Sequence, residues 1–377
     1  MRYVALTVMS ALLACPAPTG AHAGNDGDVE RIVATKLVPA LLGEDGIGGA
    51  AIAVRIGGHT LFYNYGFADM ATRRPVTSDA LFNIASVRKL FEATVLAQAV
   101  GRGELRLDDR VAQYVTELEH GQRKDGAIRD VTLGELVSHT SGLLLPTDHP
   151  PWPKQGYTLD GFVEALNAWT PEPGHRPGET HTYTHAGYIL LQLALERRFH
   201  MPIGELIGQR VLKPLGLTET MLPDHGLDIE HEPLPGAVQG YGEDGKPVGV
   251  PGNQQSYYRF PGTGQMFSSA RDLAVLLAAN LGEVPLDPEL SAAMQLTQRG
   301  VFRIDGRFTQ ALAWEICNFG GPTIVDKPGG IDNASAYLGM VPDRHLGIAI
   351  LVNRGSRNPH QVARKAVLPA LAGLNAP

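Results

Sequence analysis

Cysteine is nearly absent: the 377 residues contain two, Cys15 and Cys317. Cys15 lies in an N-terminal stretch that reads as a removable signal. Once it is lost, Cys317 has no partner, which excludes an internal disulfide framework and leaves the fold to rest on its apolar core. A cysteine-based zinc motif is excluded on the same ground. Excess positive charge is lacking too: 32 Lys and Arg stand against 39 Asp and Glu, a formal net charge of -7, so there is no basic footprint for nucleic acid. No block of like charge marks an interaction tail, no apolar run reaches the length of a membrane span, and no repeat or low-complexity tract stands out. What remains is ordinary globular composition, 44% hydrophobic and 19% charged, over a length that suits one large domain or two smaller ones.

The N-terminus reads as an export signal covering residues 1–23. Arg2 supplies the positive end, residues 3–14 the apolar segment, and Ala21-His22-Ala23 a small-x-small cleavage site. The expected location is therefore periplasmic or secreted. The competing reading is a buried N-terminal strand or helix. Leu12-Leu13-Ala14-Cys15 loosely resembles a lipoprotein signal with Cys15 lipidated, but Leu13 is bulky where a small residue is usual, so simple secretion is preferred.

Apolar periodicity predicts a helix over 28–42, then strands at 48–55 and 60–67 joined by a Gly57-Gly58 turn. A helix is predicted over 87–100, closed by Gly101 and Gly103. Short helices at 132–137, 159–167, 187–198 and 203–212 follow, separated by Pro- and Gly-rich loops, of which 144–156 is the richest in proline. After a helix at 270–281, strands are predicted at 310–318, 323–327, 335–341 and 346–353, with Pro342-Asp343 turning the last pair and a helix at 360–371 ending the chain. Strands at both ends with helices between predict an α+β fold: one antiparallel sheet from both termini, flanked by helices, with a mainly helical region inserted. The expected division is 24–85 with 262–377 for the sheet domain and 86–261 for the helical one, the site lying at their interface.

Three short motifs carry chemistry. In Ser86-Val87-Arg88-Lys89, a helix beginning at Val87 puts the hydroxyl at its N-terminus with Lys89 one turn on. The serine's own N–H and the helix dipole then favour an oxyanion, and the ammonium can activate the hydroxyl. The plainer reading is an N-cap serine beside a solvated lysine. In Tyr183-Thr184-His185, a tyrosine fixed between two lysines can serve as general base because the cations favour its phenolate. The alternative is a tyrosine packed over a helix start. In Lys327-Pro328-Gly329-Gly330, a strand lysine can bind a substrate carboxylate while the glycines admit substrate to the backbone. Lys124-Asp125-Gly126 and Lys154-Gln155-Gly156 share the Lys-x-Gly pattern but lack strand context.

In this order, the three motifs resemble those of class C β-lactamases, penicillin-binding-protein-type DD-peptidases and related esterases. The similarity extends through Phe82-Asn83-Ile84-Ala85-Ser86-Val87-Arg88-Lys89, Gly103-Glu104-Leu105-Arg106-Leu107-Asp108-Asp109, Ser138-His139-Thr140-Ser141-Gly142-Leu143, Gly187-Tyr188-Ile189-Leu190-Leu191 and the last strands, about residues 30 to 370. It implies that Ser86 attacks a substrate carbonyl, that Lys89, Tyr183 and Lys327 manage the proton, and that the N–H groups of Ser86 and Gly330 hold the oxyanion. Gly329, His185 and Asn358 are implied to line the substrate. The expected reaction is hydrolysis of a β-lactam amide through an acyl-enzyme. DD-peptidase or esterase action is the alternative, and a non-catalytic binding protein of the same fold is the third reading.

Three positions depart from the family pattern. His185 stands where asparagine is usual, and it repels Lys89 if protonated but can accept its hydrogen bond if neutral. Pro328 replaces a threonine or serine, removing a hydroxyl and a backbone donor and requiring a strand edge. Gln361 lies where arginine is often found. No cofactor is expected to be required. His181 and His185 have a spacing that binds zinc when helical, but no acidic third ligand accompanies them, and His175 and His149 lie in loops. His139 and the remaining histidines read as structural. The expected partner is a small β-lactam or peptidoglycan-like acyl substrate, with no nucleic acid, no transmembrane segment and a monomeric state.

Overall fold

A computed structural model describes residues 22–118, 127–145, 158–223, 232–252, 266–355 and 357–374. Most of the export signal, Cys15, His149, the two spare Lys-x-Gly sequences and nearly all of the proline-rich loop lie outside the described residues.

The first helical run joins His22–Ile32, Val33–Leu37 and Val38–Leu41 end to end (α1). It leads into strands β1 (Gly49–Ile56), β2 (His59–Asp69), β3 (Arg74–Pro75) and β4 (Phe82–Asn83). The β1–β2 turn is the predicted one: Gly57 and Gly58 have φ of 58° and 80°, the left-handed pair that a two-residue hairpin demands. A 3₁₀ turn, Ala85–Arg88, runs into helix α2, Lys89–Gly101. There follow α3 (Leu133–Val137), α4 (Leu159–Ala168), α5 (His185–Phe199) and α6 (Ile203–Ile207, continued by Gly208–Leu212 and Lys213–Leu215). Strand β5 (Phe267–Ser268) pairs with β4 in a small separate sheet. Helices α7 (Ala270–Asn280) and α8 (Pro288–Thr297) precede β6 (Phe302–Arg303), β7 (Phe308–Gln310), β8 (Glu315–Cys317), β9 (Ile324–Ile331), β10 (Ala334–Val341) and β11 (Leu346–Val352). The closing helix α9 joins Pro359–Val362, Ala363–Val367 and Leu368–Leu374.

Nine strands form one antiparallel sheet in the order β3-β2-β1-β11-β10-β9-β8-β7-β6. The N-terminal strands meet the C-terminal ones where β1 pairs with β11, Ala50 opposite Val352 and Val54 opposite Ile348. The predicted sheet from both termini is thus present. Alternation divides its side chains between two cores. Ile52, Val54, Tyr337, Ile348 and Ile350 face α1 and α9. Ala51, Ala53, Leu338, Ala349 and Leu351 face α7 and the buried α2.

Local capping explains most helix starts: Thr132 and Glu135 form a reciprocal capping box, and Thr158, Thr184 and Ser269 each accept an N–H from the first turn of their helix. Three predictions need correction. Helix α8 has no counterpart among the predicted elements, although Asp287-Pro288 is a cap followed by an N1 proline. The strand expected over 310–318 is two short strands, because Ala313 between them has a left-handed φ of 69°. The strand expected to end at Lys327 continues through Pro328 to Ile331.

Pro328 can be accommodated because β8 pairs with β9 only as far as Asp326, opposite Glu315. Beyond that point, among the described residues, β9 pairs with β10 alone, leaving its other edge unpaired by a strand.

The Ser138–Leu143 stretch turns sharply at Gly142, where φ is 71° and an added Cβ would lie 1.9 Å from the carbonyl oxygen of His175. Replacement Gly142→Ala is expected to cost about 2 kcal/mol or more, from left-handed strain plus backbone displacement. Gly101 closes α2 with nothing within 4 Å of an added Cβ, and Gly101→Ala is expected to be neutral or to stabilise by up to about 1 kcal/mol. Urea unfolding of the two variants checks both signs.

Candidate active site

The β4 strand delivers the chain into the turn that holds Ser86. Ala85 there has φ of 47°, a costly backbone for a residue with a Cβ. It is secured by Ala85 N–H donating to Asn83 Oδ1 at 2.8 Å and by Val87 N–H donating to the Ile84 carbonyl at 3.0 Å. Ser86 therefore sits inside a 3₁₀ turn rather than at the N-cap of the α-helix, correcting the predicted start. The turn still places Lys89 on the same side, its Nζ 3.4 Å from Ser86 Oγ. Nor is Lys89 a solvated surface charge: it is 1% exposed, with its ammonium 5.1 Å from the centre of the Tyr188 ring.

Tyr183 comes from the residue preceding the Thr184 cap of α5, and its hydroxyl lies 2.6 Å from Ser86 Oγ. Its ring centre is 5.4 Å from Lys89 Nζ and 5.1 Å from Lys327 Nζ. Lys327 is as buried as Lys89. The structure thus brings Ser86, Lys89, Tyr183 and Lys327 together from α2, the α5 cap and β9. Two cations at this range, with little water between, favour negative charge on the oxygens they flank. The cleft is open on the tyrosine side, for Tyr183 is 38% exposed.

Gly329 and Gly330 serve different ends. A Cβ on Gly329 would lie 2.6 Å from the Ile84 carbonyl oxygen and 3.1 Å from Ser86 N, so only glycine lets β9 approach the serine turn this closely. Gly330 is exposed, with nothing near an added Cβ. The hairpin β9–β10 turns through Asp332 and Asn333, closing on the Ile331–Ala334 pair. Hydrogen-bonded and non-bonded pairs alternate from there, so Pro328 and Gly330 fall in non-bonded positions and turn their backbone groups toward the free edge. The Gly330 N–H is left for a ligand there, while Pro328 has none to offer.

Asn358 is exposed and precedes α9. The bonds that anchor this helix run from Arg364 instead: bidentate to Asp326 at 2.6 Å, and to Glu315 at 2.7 Å. Glu315 in turn lies 3.9 Å from Lys327 Nζ. Tyr337 donates to Asp326 at 2.7 Å. Asp326 and its partners hold the Arg364 guanidinium firmly charged, and Lys327 with Arg364 keeps the Glu315 carboxyl below its usual range despite burial. Sequence reasoning missed this network, whose members are far apart in the chain.

The histidines near the two lysines are pushed toward the neutral form. Burial, and then the charges of Lys89 and Lys327, push His185 down to about 3, so of its two possible states the uncharged one holds. Burial also lowers His181. Its Nε2 lies 2.9 Å from Gln310 Oε1, and the Gln310 amide donates to the Ala311 and Trp314 carbonyls at 3.0 and 2.9 Å, so His181 Nε2 carries the proton. Helix α5 begins only at His185. The pair is therefore not on one helical face, and among the described residues no three His, Cys, Asp or Glu side chains are grouped to hold a metal. His139, read from the sequence as structural, lies beneath Tyr183 with ring centres 4.3 Å apart.

A family model described as beta-lactamase matches residues 34–372. The chain belongs to the beta-lactamase family. It is accordingly a hydrolase of the serine β-lactamase type. It is 27% identical to a beta-lactamase of Pseudomonas fluorescens over 91% of this chain and 99% of that one. A D-alanine carboxypeptidase from Burkholderia cenocepacia superposes with a TM-score of 0.75 at 26% identity, covering 92% of this chain and 99% of the other. A class C beta-lactamase superposes at 0.76 with 24% identity, over 92% and 97% of the two chains, which speaks for the shared fold.

Because His185 is held neutral while an unfolded histidine binds a proton near 6.5, its contribution is intact above pH 6.5 and is lost as pH falls through the window from about 6.5 toward 3. Between pH 7.5 and 5.0 this amounts to up to about 2 kcal/mol. A His185→Asn variant is expected to lose that much less stability than the parent across the same interval, measured by urea unfolding at both pH values.

Proposed function

We propose that the protein hydrolyses the amide of β-lactams through an acyl-enzyme on Ser86. The reading is carried by one observation, the 2.6 Å contact between Ser86 Oγ and the Tyr183 hydroxyl, bracketed by two buried lysines. Ser86 Oγ attacks the lactam carbonyl carbon while its proton passes to Tyr183, which acts as the phenolate and becomes the phenol. The negative charge that moves to the carbonyl oxygen is taken by the N–H groups of Ser86 and Gly330, each such donor contributing about 3 kcal/mol. The C–N bond then breaks, the nitrogen receives the proton from Tyr183, and an ester on Ser86 remains. Water attacks that ester and gives a proton to the Tyr183 phenolate; the ester C–O bond to Ser86 breaks and the proton passes from Tyr183 to Ser86 Oγ, leaving the acid and the starting form. Lys89 and Lys327 hold the field that favours the phenolate, which takes the proton and, as the phenol, returns it. No cofactor enters these steps.

Neutral His185 adds no opposing charge beside Lys89. Asn358 and Gly329 complete the assignment, at the rim and against the serine turn. With the N-terminal export signal, action in the periplasm or outside the cell follows.

A second reading, D-alanine carboxypeptidase, is favoured by Pro328. It leaves the free edge without a hydroxyl or N–H beside the substrate carboxylate, a change in substrate handling rather than in proton transfer. The two readings share acylation and differ in the rate at which water reaches the ester.

Mixing the protein with penicillins, cephalosporins and carbapenems while following hydrolysis and intact mass separates them. Rapid turnover is expected; a persistent adduct instead favours the carboxypeptidase, and cleavage of nitrophenyl esters alone favours an esterase. Ser86→Ala should lower kcat by at least about 10⁴-fold and abolish the adduct, and full activity in that variant removes serine catalysis altogether.

A further inference from the structure

His139 is not assigned any role by the proton transfers at Ser86, yet its surroundings are unusually determined. It is fully buried and is one of the few non-glycine residues in a left-handed conformation, with φ of 57°. That backbone costs energy for a side chain of this kind. The result is a pair of bonds on either side of the general base. Its carbonyl accepts the Thr182 N–H at 2.7 Å. Its ring Nδ1 accepts the Thr184 N–H at 3.3 Å. Between those two anchors stands Tyr183, whose ring lies over the His139 ring at 4.3 Å with 31° between planes. The opposite support is Tyr188, 5.0 Å away, itself fixed by donation to the Val137 carbonyl at 2.8 Å.

We propose that His139 is the positioning residue of Tyr183, holding the phenol in line with Ser86 by bracketing the backbone at Thr182 and Thr184 and by stacking beneath the ring. This deepens the acyl-enzyme reading and rests on it.

The state of the ring follows from its bonds. Since Nδ1 accepts from Thr184, the single proton of a neutral imidazole is on Nε2. The groups that face it are Lys89 from α2, Lys327 from β9, His181, Tyr183 and His185 from the segment before and at the start of α5, and Tyr188 within α5. Two of these are cations, so burial and charge alike keep His139 uncharged. A protonated ring would lose the Nδ1 acceptor and with it one side of the bracket.

Asparagine is the informative replacement. It tolerates the left-handed backbone and offers an amide oxygen to the Thr184 N–H, but it supplies no ring beneath Tyr183. His139→Asn is expected to lower kcat about 10²-fold, the order that loss of alignment at a reacting group brings, with KM changed less than about threefold. Adding Tyr183→Phe to that variant should cost much less than it costs the parent, because the phenol is already out of line. An unchanged kcat in folded His139→Asn, or full additivity of the two replacements, overturns the proposal. Should the variant fail to fold, ¹⁵N shifts of the imidazoles in the unaltered protein decide: a neutral Nε2–H tautomer for His139 throughout pH 6–8 is expected, and a proton on Nδ1 overturns it. Ser86→Ala separates the two levels. If that variant still turns over, the acyl-enzyme reading itself falls; if it is inactive while His139→Asn keeps full kcat, only the positioning role falls.

Discussion

Two lysine side chains are held out of water with their Nζ atoms 5.4 and 5.1 Å from the centre of one phenol ring, and the rest of the molecule is arranged so that they stay there. Like charges in a site of low polarity repel, and each loses hydration on burial. The fold offsets this with carboxylates placed behind the lysines. Glu315 sits 3.9 Å from Lys327 Nζ and is itself locked by Arg364. On the other side, Glu92 lies buried one turn beyond Lys89 and is bonded by Arg88; burial pushes its carboxyl up, against the pull of Arg88 and Lys89. Both lysines lie in an apolar setting, where a charge acts most strongly on Ser86 and Tyr183.

Those supports come from opposite ends of the chain. Arg364 belongs to α9 and Asp326 to β9, while Arg88 and Glu92 flank Lys89 on the serine helix. Removing one partner of such a buried pair leaves an uncompensated charge, a loss of about 3–5 kcal/mol. Strain is placed with similar economy. The left-handed residues Ala85, His139 and Gly142 all lie in the segments that carry or brace Ser86 and Tyr183, where a regular helix or strand would aim these groups elsewhere.

Neutral histidines fill the space that remains. His139, His181 and His185 have ring nitrogens that can bond without adding charge, and burial beside Lys89 and Lys327 keeps each unprotonated. A histidine in the place of the family's usual asparagine is therefore less disruptive than its titration range suggests. It also occupies more volume beside Lys89 than an asparagine would.

Much of this was legible in the chain itself. Short, almost wholly apolar runs such as 48–55 and 346–353 marked the strands, as a sheet buried on both faces requires. Apolar spacing marked the helices that Thr132, Thr158 and Ser269 cap, and the order of the serine, tyrosine and lysine motifs pointed to the site. The sequence alone could not show that β9 has a free edge just past Asp326, that Ser86 lies in a 3₁₀ turn, or that His139 sits under Tyr183. Nor could it show that His185 is neutral. Each of these depends on which residues distant in the chain become neighbours, since pairing partners, burial and the field at a titrating group are properties of the packed chain. Local sequence determined the elements and the chemical groups they carry; tertiary contact decided their distances and charges.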